Sequence, residues 1–167
     1  MPATPLTASL RPLTGADAAQ ICRWHYPPPY HFYDLGEEVL PELLRWIAHY
    51  QAITRQSELI GFFATGKEVC QIPGGRYPEG PLDIGIGLRP DLTGRGLGEP
   101  LLRQILAGLR EPRLRLTVAE FNARAITVYH RLGFRWAGRF VSSQQVPFWI
   151  MERYAGGYEP DVPDQPA

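Results

Sequence analysis

The sequence has 167 residues, the length of one domain of ordinary size. Its 17 Lys and Arg residues balance 17 Asp and Glu residues, so no net charge attracts the chain to nucleic acid or to an anionic membrane. Hydrophobic residues make up 44% and charged residues 20%, as in an ordinary globular protein. Composition therefore favours a globular domain and argues against a nucleic-acid-binding or membrane-spanning chain.

The two cysteines and the first residues favour an intracellular protein. Cys22 and Cys70 are isolated and follow neither a disulfide nor a metal-site spacing. The first residues lack the basic and apolar regions of a secretory signal, and the apolar runs are too short to span a bilayer. We expect a cytoplasmic protein without a metal, with a flexible arm at residues 1–6, a single domain at 7–154 and a disordered tail at 155–167.

The first predicted elements are a short strand over residues 8–11 and a helix that follows it. Thr14, with Asp17 three positions later, is typical of a helix N-terminus with an acidic first turn. The helix would bury a stripe formed by Ala18, Ile21, Cys22 and Trp24.

Residues 24–35 combine three consecutive prolines with a dense set of aromatic rings. The prolines exclude a regular helix, and such a density of rings is unusual for a solvated loop. Two interpretations stay open: the rings anchor an irregular loop onto the core, or some of them line a pocket for an amine. The candidate pocket residues are Trp24, Tyr26, Tyr30 and Tyr33.

A second helix and a hairpin are predicted next. Asp34 could cap a helix over residues 36–48, with Glu37 as its reciprocal partner. Residues 52–55 and 59–65 alternate in the manner of two strands joined by a tight turn. Residues 66–81 are rich in proline and glycine and are expected to form an irregular connection.

Residues 82–109 hold a strand, a glycine-rich turn and a helix in succession. Four apolar residues alternate with Asp83, Gly85 and Gly87, which predicts a strand over 82–88. A periodic run of leucine and isoleucine then predicts an amphipathic helix that begins near residue 98. We expect the function of the chain to depend on this strand–turn–helix segment.

The turn between this strand and helix is suited to an anion. Its sequence, Thr-Gly-Arg-Gly-Leu-Gly over residues 93–98, allows successive N–H groups to converge beside a helix N-terminus. Arg95 adds a guanidinium that can pair with phosphate oxygens. A Walker A loop is excluded because no Lys-Ser or Lys-Thr pair follows, and a dinucleotide fingerprint because residue 99 is glutamate.

The last third of the chain predicts a strand, a helix and a closing pair of strands. Asn122 can cap the helix, and Gly133 is well placed to end it in the left-handed conformation. The predicted ranges are 114–118 for the strand, 122–132 for the helix, and 136–141 and 147–154 for the closing pair.

Two stretches resemble the motifs of the GCN5-related N-acetyltransferase (GNAT) family. Residues 88–98, Leu-Arg-Pro-Asp-Leu-Thr-Gly-Arg-Gly-Leu-Gly, are similar to its acetyl-CoA loop, although Thr93 stands where the family usually carries Gln or Arg. Residues 122–134 resemble its Asn-x-x-Ala-x-x-x-Tyr-x-x-x-Gly-Phe signature. The two motifs occur in the family's order and spacing, within a resemblance over about residues 8–153.

This resemblance implies an α+β fold: a mixed, mostly antiparallel sheet of six or seven strands with about four helices on its faces. It implies a transferase of the acyltransferase class, an N-acetyltransferase that moves the acetyl group of acetyl-CoA to a primary amine by direct attack in a ternary complex. A catalytically degenerate CoA-binding sensor or interaction module is the alternative, and a larger acyl-CoA is not excluded.

The resemblance also implies a set of site residues. Tyr129 matches the family's general acid, and a phenol is protonated at neutral pH. Main-chain groups of Ile86 and Leu88 would bind the pantetheine arm, in a wedge where the central strand separates from the strand at 114–118. The full set of implied cofactor residues is Ile86, Leu88, Thr93, Gly94, Arg95, Gly96, Leu97, Gly98, Asn122 and Tyr129.

No general base is identified. The strand face toward the expected wedge carries only Leu82, Ile84, Ile86 and Leu88, and Asp83 points the other way. The remaining candidates are Glu120, His25, His31 and His130.

The aromatic segment slightly favours a small-molecule amine over a protein amine as acceptor, with neither nucleic acid nor membrane as a partner. A monomer or a homodimer is expected.

Overall fold

The computed structural model describes residues 7–155, so the predicted arm and nearly all of the predicted tail lie outside the described residues. These residues form seven strands and five α-helices, joined by loops and short 3₁₀ turns. In chain order they are β1 (Ser9–Pro12), α1 (Gly15–Ile21), α2 (Leu40–Arg45), β2 (Tyr50–Arg55), β3 (Glu58–Thr65), α3 (Lys67–Cys70), β4 (Leu82–Leu88), α4 (Gly98–Ala107), β5 (Arg113–Ala119), α5 (Ala123–Arg131), β6 (Arg135–Val141) and β7 (Pro147–Tyr154).

The strands form a mixed sheet in the order β1-β2-β3-β4-β5-β7-β6. Four neighbouring pairs are antiparallel: β1 with β2, β2 with β3, β5 with β7, and β6 with β7. The pair β4 and β5 is parallel and joins Leu82 to Leu114 and Asp83 to Arg115, at the start of β4. The predicted α+β fold with a mixed, mostly antiparallel sheet is confirmed.

The chain folds as two compact units. The first comprises the described residues up to Ala64 together with Ile86–Leu102, and the second comprises Thr65–Gly85 together with the described residues from Arg103 onward. Each of β4 and α4 therefore contributes one part to each unit. The expectation of a single domain over residues 7–154 stays a prediction.

In the first unit, α1 begins as the sequence predicts. The Thr14 hydroxyl accepts the Asp17 N–H, and the Asp17 carboxylate accepts the Thr14 N–H, so the two residues form a capping box. Arg11 on β1 donates to both oxygens of the same carboxylate. These bonds lower the pKa of Asp17 to about 2, and the Arg11 guanidinium is the largest cause.

The low pKa of Asp17 predicts a pH-dependent loss of stability. Its carboxylate stabilises the fold at every pH above the unfolded-state pKa of 3.8, and this contribution is lost as the pH falls toward the folded-state value of about 2. Because Arg11 is partly exposed, we expect a contribution of about 1–2 kcal/mol. Urea unfolding of the wild type and Asp17→Asn should differ by this amount at pH 6 and by less at pH 3. A difference that does not change with pH would contradict the assignment.

The apolar side of α1 packs into the core of the first unit. Ile21, Cys22 and Trp24 are all buried there, as the predicted stripe requires. The hairpin of β2 and β3 turns through Gln56 and Ser57, which both have positive φ, as a two-residue turn between twisted strands requires. Both predictions are confirmed.

The second helix, predicted over residues 36–48 with a disturbance near Pro41, forms only in part as an α-helix. The chain instead forms a 3₁₀ turn at Glu37–Val39, the short helix α2 and a second 3₁₀ turn at Ile47–His49. Asp34 caps none of them, because its carboxylate accepts the Tyr26 N–H at 2.8 Å and contacts His25 at 3.1 Å. Pro41 lies in the first turn of α2, the position where a missing N–H costs least.

In the second unit, β5, β7 and β6 form an antiparallel sheet, and the His130 ring of α5 lies edge-on to Trp136 of β6. Asn122 caps α5, since its side-chain oxygen accepts the Ala125 N–H at 3.3 Å. Gly133 follows the helix with a φ of +94°, the left-handed conformation predicted for it. Phe134, directly after it, is fully buried. The signature at residues 122–134 thus builds a capped helix whose end is fixed in the core.

Candidate functional site

The glycine-rich loop of the first unit joins β4 to α4. A 3₁₀ turn at Pro90–Leu92 ends the strand, and Gly94 and Gly96 then adopt φ values of +70° and +75°. In the described part of the chain, the main-chain N–H groups of residues 94–98 donate to no main-chain carbonyl. Left-handed glycines and unpaired N–H groups before a helix are the arrangement that binds an anion. This loop is the cradle of the candidate site.

Thr93 completes the turn that precedes the cradle. Its hydroxyl donates to the Pro90 carbonyl at 2.7 Å, and its main-chain N–H donates to the same oxygen at 3.2 Å. Both donors of Thr93 therefore stabilise the turn, and the longer Gln or Arg common in the family is replaced by a residue that folds back on the loop. Arg95 is exposed, so its guanidinium can reach a ligand from solvent.

Arg89 holds the start of the loop against the hairpin of β2 and β3. Its guanidinium donates to Asp91 at 2.7 Å, to Glu58 at 2.8 Å and to the Leu59 carbonyl at 2.9 Å. The same guanidinium lowers the pKa of Asp91. The cradle is thus fixed to the sheet by an ion-pair network that the sequence did not reveal, because Glu58 lies 31 positions away.

The aromatic segment at residues 24–33 belongs to the same unit, and its rings differ in burial. Trp24 is only 8% exposed and stacks on Phe62 with ring centroids 6.3 Å apart, so it serves the core. Tyr26 is half-buried, and its hydroxyl donates to the Leu88 carbonyl at 2.7 Å. Tyr30 and Tyr33 lie on a 3₁₀ turn and are partly exposed. Trp24 therefore anchors the segment onto the core, whereas a pocket role for the partly exposed rings stays a prediction.

Asn122 and Tyr129 belong to the second unit. Tyr129 lies on α5, is partly exposed, and contacts Phe134 edge-on with centroids 6.0 Å apart. Asn122 keeps its capping role described above. The structure therefore brings the loop residues together within one unit and these two residues together within the other.

Three of the four candidate bases have a side-chain interaction in the described residues, and the fourth, His31, is exposed. His25 is exposed and faces Asp34, Glu120 pairs with Arg139 at 3.0 Å, and the His130 ring lies edge-on to Trp136. On β4, Asp83 is buried and forms an ion pair with Arg115 at 2.7 Å. The structure therefore singles out none of these groups as a base.

Burial disfavours the thiolate form of both cysteines. Cys22 is buried, and burial raises its pKa. Burial likewise raises the pKa of Cys70 to about 12, so its thiol stays protonated at neutral pH.

Residues 7–155 contain neither a metal-binding cluster nor a membrane-spanning helix. No cluster of three or more His, Cys, Asp or Glu side chains there is arranged to hold a metal ion. None of the helices in this range is both long and apolar enough to cross a membrane.

Two curated relatives are N-acetyltransferases by name. The chain is 35% identical over 89 residues to the 5-NmdU N-acetyltransferase of Pseudomonas phage PaMx11, a match over 53% of this chain and 59% of the relative. It is 29% identical over 107 residues to the peptidyl-lysine N-acetyltransferase YjaB of Salmonella typhimurium, over 64% of this chain and 60% of the relative. The chain thus spans about three fifths of the length of each.

Solved structures share the fold. The aminoglycoside acetyltransferase AAC(6')-Ib in a complex with acetyl-CoA superposes with a TM-score of 0.67 at 21% identity, over 95% of this chain and 99% of that one. A spermidine N-acetyltransferase SpeG chimera from Vibrio cholerae and hSSAT gives 0.65 at 19% identity, over 88% and 94%. The model of the acetyltransferase (GNAT) family matches residues 17–134, more than half of the sequence. The chain belongs to the GNAT acetyltransferase family.

Proposed function

We propose that this chain is an acetyl-CoA-dependent N-acetyltransferase, active as a single domain over residues 7–154, that transfers an acetyl group to a primary amine. The observation that carries the proposal is the cradle, where two left-handed glycines and the unpaired N–H groups of residues 94–98 precede α4. An anion of the size of a pyrophosphate fits such a loop. The family membership, and the names of the two relatives, support the same ligand and reaction.

Acetyl-CoA would be the acetyl donor, held by main-chain groups more than by side chains. The cradle and Arg95 would bind the pyrophosphate, and main-chain groups of Ile86 and Leu88 would bind the pantetheine arm. Asn122 would contact the donor from the start of α5.

The acceptor is proposed to be a small amine. The rings of Tyr26, Tyr30 and Tyr33 are each partly exposed, aromatic rings can contact a cation, and the balanced net charge provides no attraction for a polyanion. Aminoglycoside and spermidine acetyltransferases share the fold, whereas one relative is named for peptidyl-lysine. The amine would attack the thioester directly, because neither thiol is activated to form an acyl-enzyme.

Tyr129 is proposed as the general acid that protonates the departing thiolate. Tyr129→Phe removes the phenolic proton and keeps the ring that contacts Phe134. We expect turnover to fall at least about 10-fold while the affinity for acetyl-CoA changes little, since the proton is needed only in the transition state. Steady-state rates and calorimetry separate the two quantities. Unchanged turnover would remove Tyr129 from this role.

The reaction itself is tested by thiol release. Purified protein with acetyl-CoA should release CoA when spermidine, kanamycin or a lysine-containing peptide is added, and mass spectrometry should show a product heavier by one acetyl group. Release without any amine product would indicate hydrolysis. Binding of CoA without release in the presence of all these amines would favour the alternative, a CoA-binding module that has lost catalysis.

A further inference from the structure

The peptide bond between Leu88 and Arg89 is held from both sides. The Arg89 N–H donates to the Ile60 carbonyl of β3 at 2.8 Å. The Leu88 carbonyl accepts the Tyr26 hydroxyl at 2.7 Å. Because a trans peptide directs its C=O opposite to its N–H, this carbonyl and the phenol lie at the edge of β4 that faces away from β3.

The same edge of β4 carries the main-chain groups proposed to bind the pantetheine arm. In an extended strand, the N–H and C=O of one residue point to the same side, and residues two apart repeat that direction. The N–H of Leu88 and both main-chain groups of Ile86 therefore share the edge at which Tyr26 donates. The hydroxyl occupies one lone pair of the Leu88 carbonyl, and the Leu88 N–H points to the same edge, where an arm could accept it.

Tyr26 is itself fixed at three points. Its main-chain N–H donates to Asp34 at 2.8 Å, its ring packs against the core of the first unit, and its hydroxyl bonds Leu88. Burial raises the pKa of the phenol, so the hydroxyl stays a donor at neutral pH. The only proton of the hydroxyl is committed to the carbonyl, which gives the bond a defined direction.

The neighbouring residue, Gly87, is packed just as closely. A Cβ at this position would overlap the Phe62 ring, and Phe62 in turn stacks on Trp24. The beginning of the aromatic segment and the end of β4 are thus packed together through Phe62. Tyr26 therefore lies in a closely packed region and not on a flexible loop.

We propose that Tyr26 is a positioning residue for the pantetheine arm of coenzyme A. Its bond to the Leu88 carbonyl sets the orientation of the main-chain groups of Ile86 and Leu88 that would receive the arm. The inference rests on the proposed function, which assigns the arm to this strand. It also connects the acceptor segment to the donor site, because Tyr26 belongs to the first and touches the second.

The test compares two ligands that differ only in the arm. Coenzyme A contains it, whereas 3′-phosphoadenosine 5′-diphosphate keeps the pyrophosphate and lacks the arm. Calorimetry of Tyr26→Phe should show CoA affinity reduced about 5- to 10-fold, the range of one hydrogen bond, with the affinity for the shorter ligand within about 2-fold of wild type. Asp34→Ala, which removes the acceptor of the Tyr26 N–H together with the contact to His25, should shift CoA affinity in the same direction by a smaller factor.

The control is Tyr154→Phe, which removes a tyrosine hydroxyl that bonds Glu152 on β7 and should leave both affinities unchanged. The positioning role would be overturned if Tyr26→Phe bound CoA with wild-type affinity, or if its affinities for both ligands fell by the same factor. The second result would indicate a general loosening of the cradle. If the wild-type protein binds neither ligand, the proposed function fails first, and this outcome is distinct from a failure of Tyr26 alone.

Discussion

Arg115→Met is expected to lower the free energy of unfolding by about 3–5 kcal/mol, the largest single effect on stability that we predict. Arg115 is only 2% exposed, and its Nε and Nη2 donate to the two oxygens of Asp83 at 2.7 and 2.9 Å. Methionine fills a similar volume and leaves the Asp83 carboxylate buried without its counter-charge. Urea unfolding followed by circular dichroism measures the change.

The remaining contacts of Arg115 explain the expected size of the effect. Its Nη1 donates to the Pro78 carbonyl at 2.6 Å, and its guanidinium lies 5.1 Å from the centre of the Tyr77 ring. The Tyr77 hydroxyl in turn accepts the Ile72 N–H and contacts Thr117 at 2.9 Å. One buried cation thus fixes the irregular segment before β4 onto β5, and its loss would release that segment as well.

Two further variants show whether the cause is the buried charge. Arg139→Met breaks an exposed pair with Glu120 and should cost less than about 1 kcal/mol. Asp83→Leu combined with Arg115→Met should recover much of the lost stability, since apolar residues can replace a buried ion pair at little cost. A single Arg115→Met variant within 1 kcal/mol of wild type would contradict the account of this pair.

Gly96→Val is expected to reduce the affinity for CoA at least about 100-fold while the protein remains folded. Gly96 has a φ of +75°, which a β-branched residue adopts only at a cost of about 1–2 kcal/mol. A Cβ there would meet no atom within 4 Å apart from its chain neighbours, so the substitution has space in the unliganded chain. We therefore expect the substitution to weaken ligand binding more than folding, because the side chain projects from the loop and the N–H groups lose their alignment.

The matched control for this prediction is Gly108→Val. Gly108 follows α4, is not in the left-handed conformation, and its Cβ would make an ordinary contact of 3.5 Å with the Ile105 carbonyl. Calorimetry should show near wild-type CoA affinity for this variant. If Gly96→Val keeps wild-type affinity, the cradle does not bind the pyrophosphate and the assignment of the loop is wrong.

Signals confined to a few neighbouring residues predicted much of the fold. The Thr14 and Asp17 pair and the Gly133 end of α5 both depend on conformations that local residue types favour. The start of the second helix differs from the prediction for the opposite reason. The sequence predicts a local cap at Asp34, whereas its carboxylate contacts His25 and accepts the Tyr26 N–H, and these residues precede it by nine and eight positions.

The conformation of the glycine-rich loop was also predictable from local residues, whereas the roles of the candidate site residues stay predictions. The cradle follows from the glycine spacing, and the positive φ of Gly94 and Gly96 agrees with it. Sequence reasoning missed the Tyr26 bond to Leu88 and the buried pair of Asp83 with Arg115, because those partners lie 62 and 32 positions apart. The alternation of residues along β4 predicts that Asp83 points away from a ligand, but only the tertiary structure identifies Arg115 as its partner.

The proposal that this chain is a CoA-dependent acetyltransferase is tested most directly by calorimetric titration with acetyl-CoA, CoA and ATP in parallel. The cradle should bind both CoA species in the micromolar range or tighter, and ATP much more weakly, because ATP lacks the pantetheine arm that the end of β4 would receive. No heat of binding with either CoA species, in a protein shown to be folded, would contradict the proposed function and leave only the fold and the family membership.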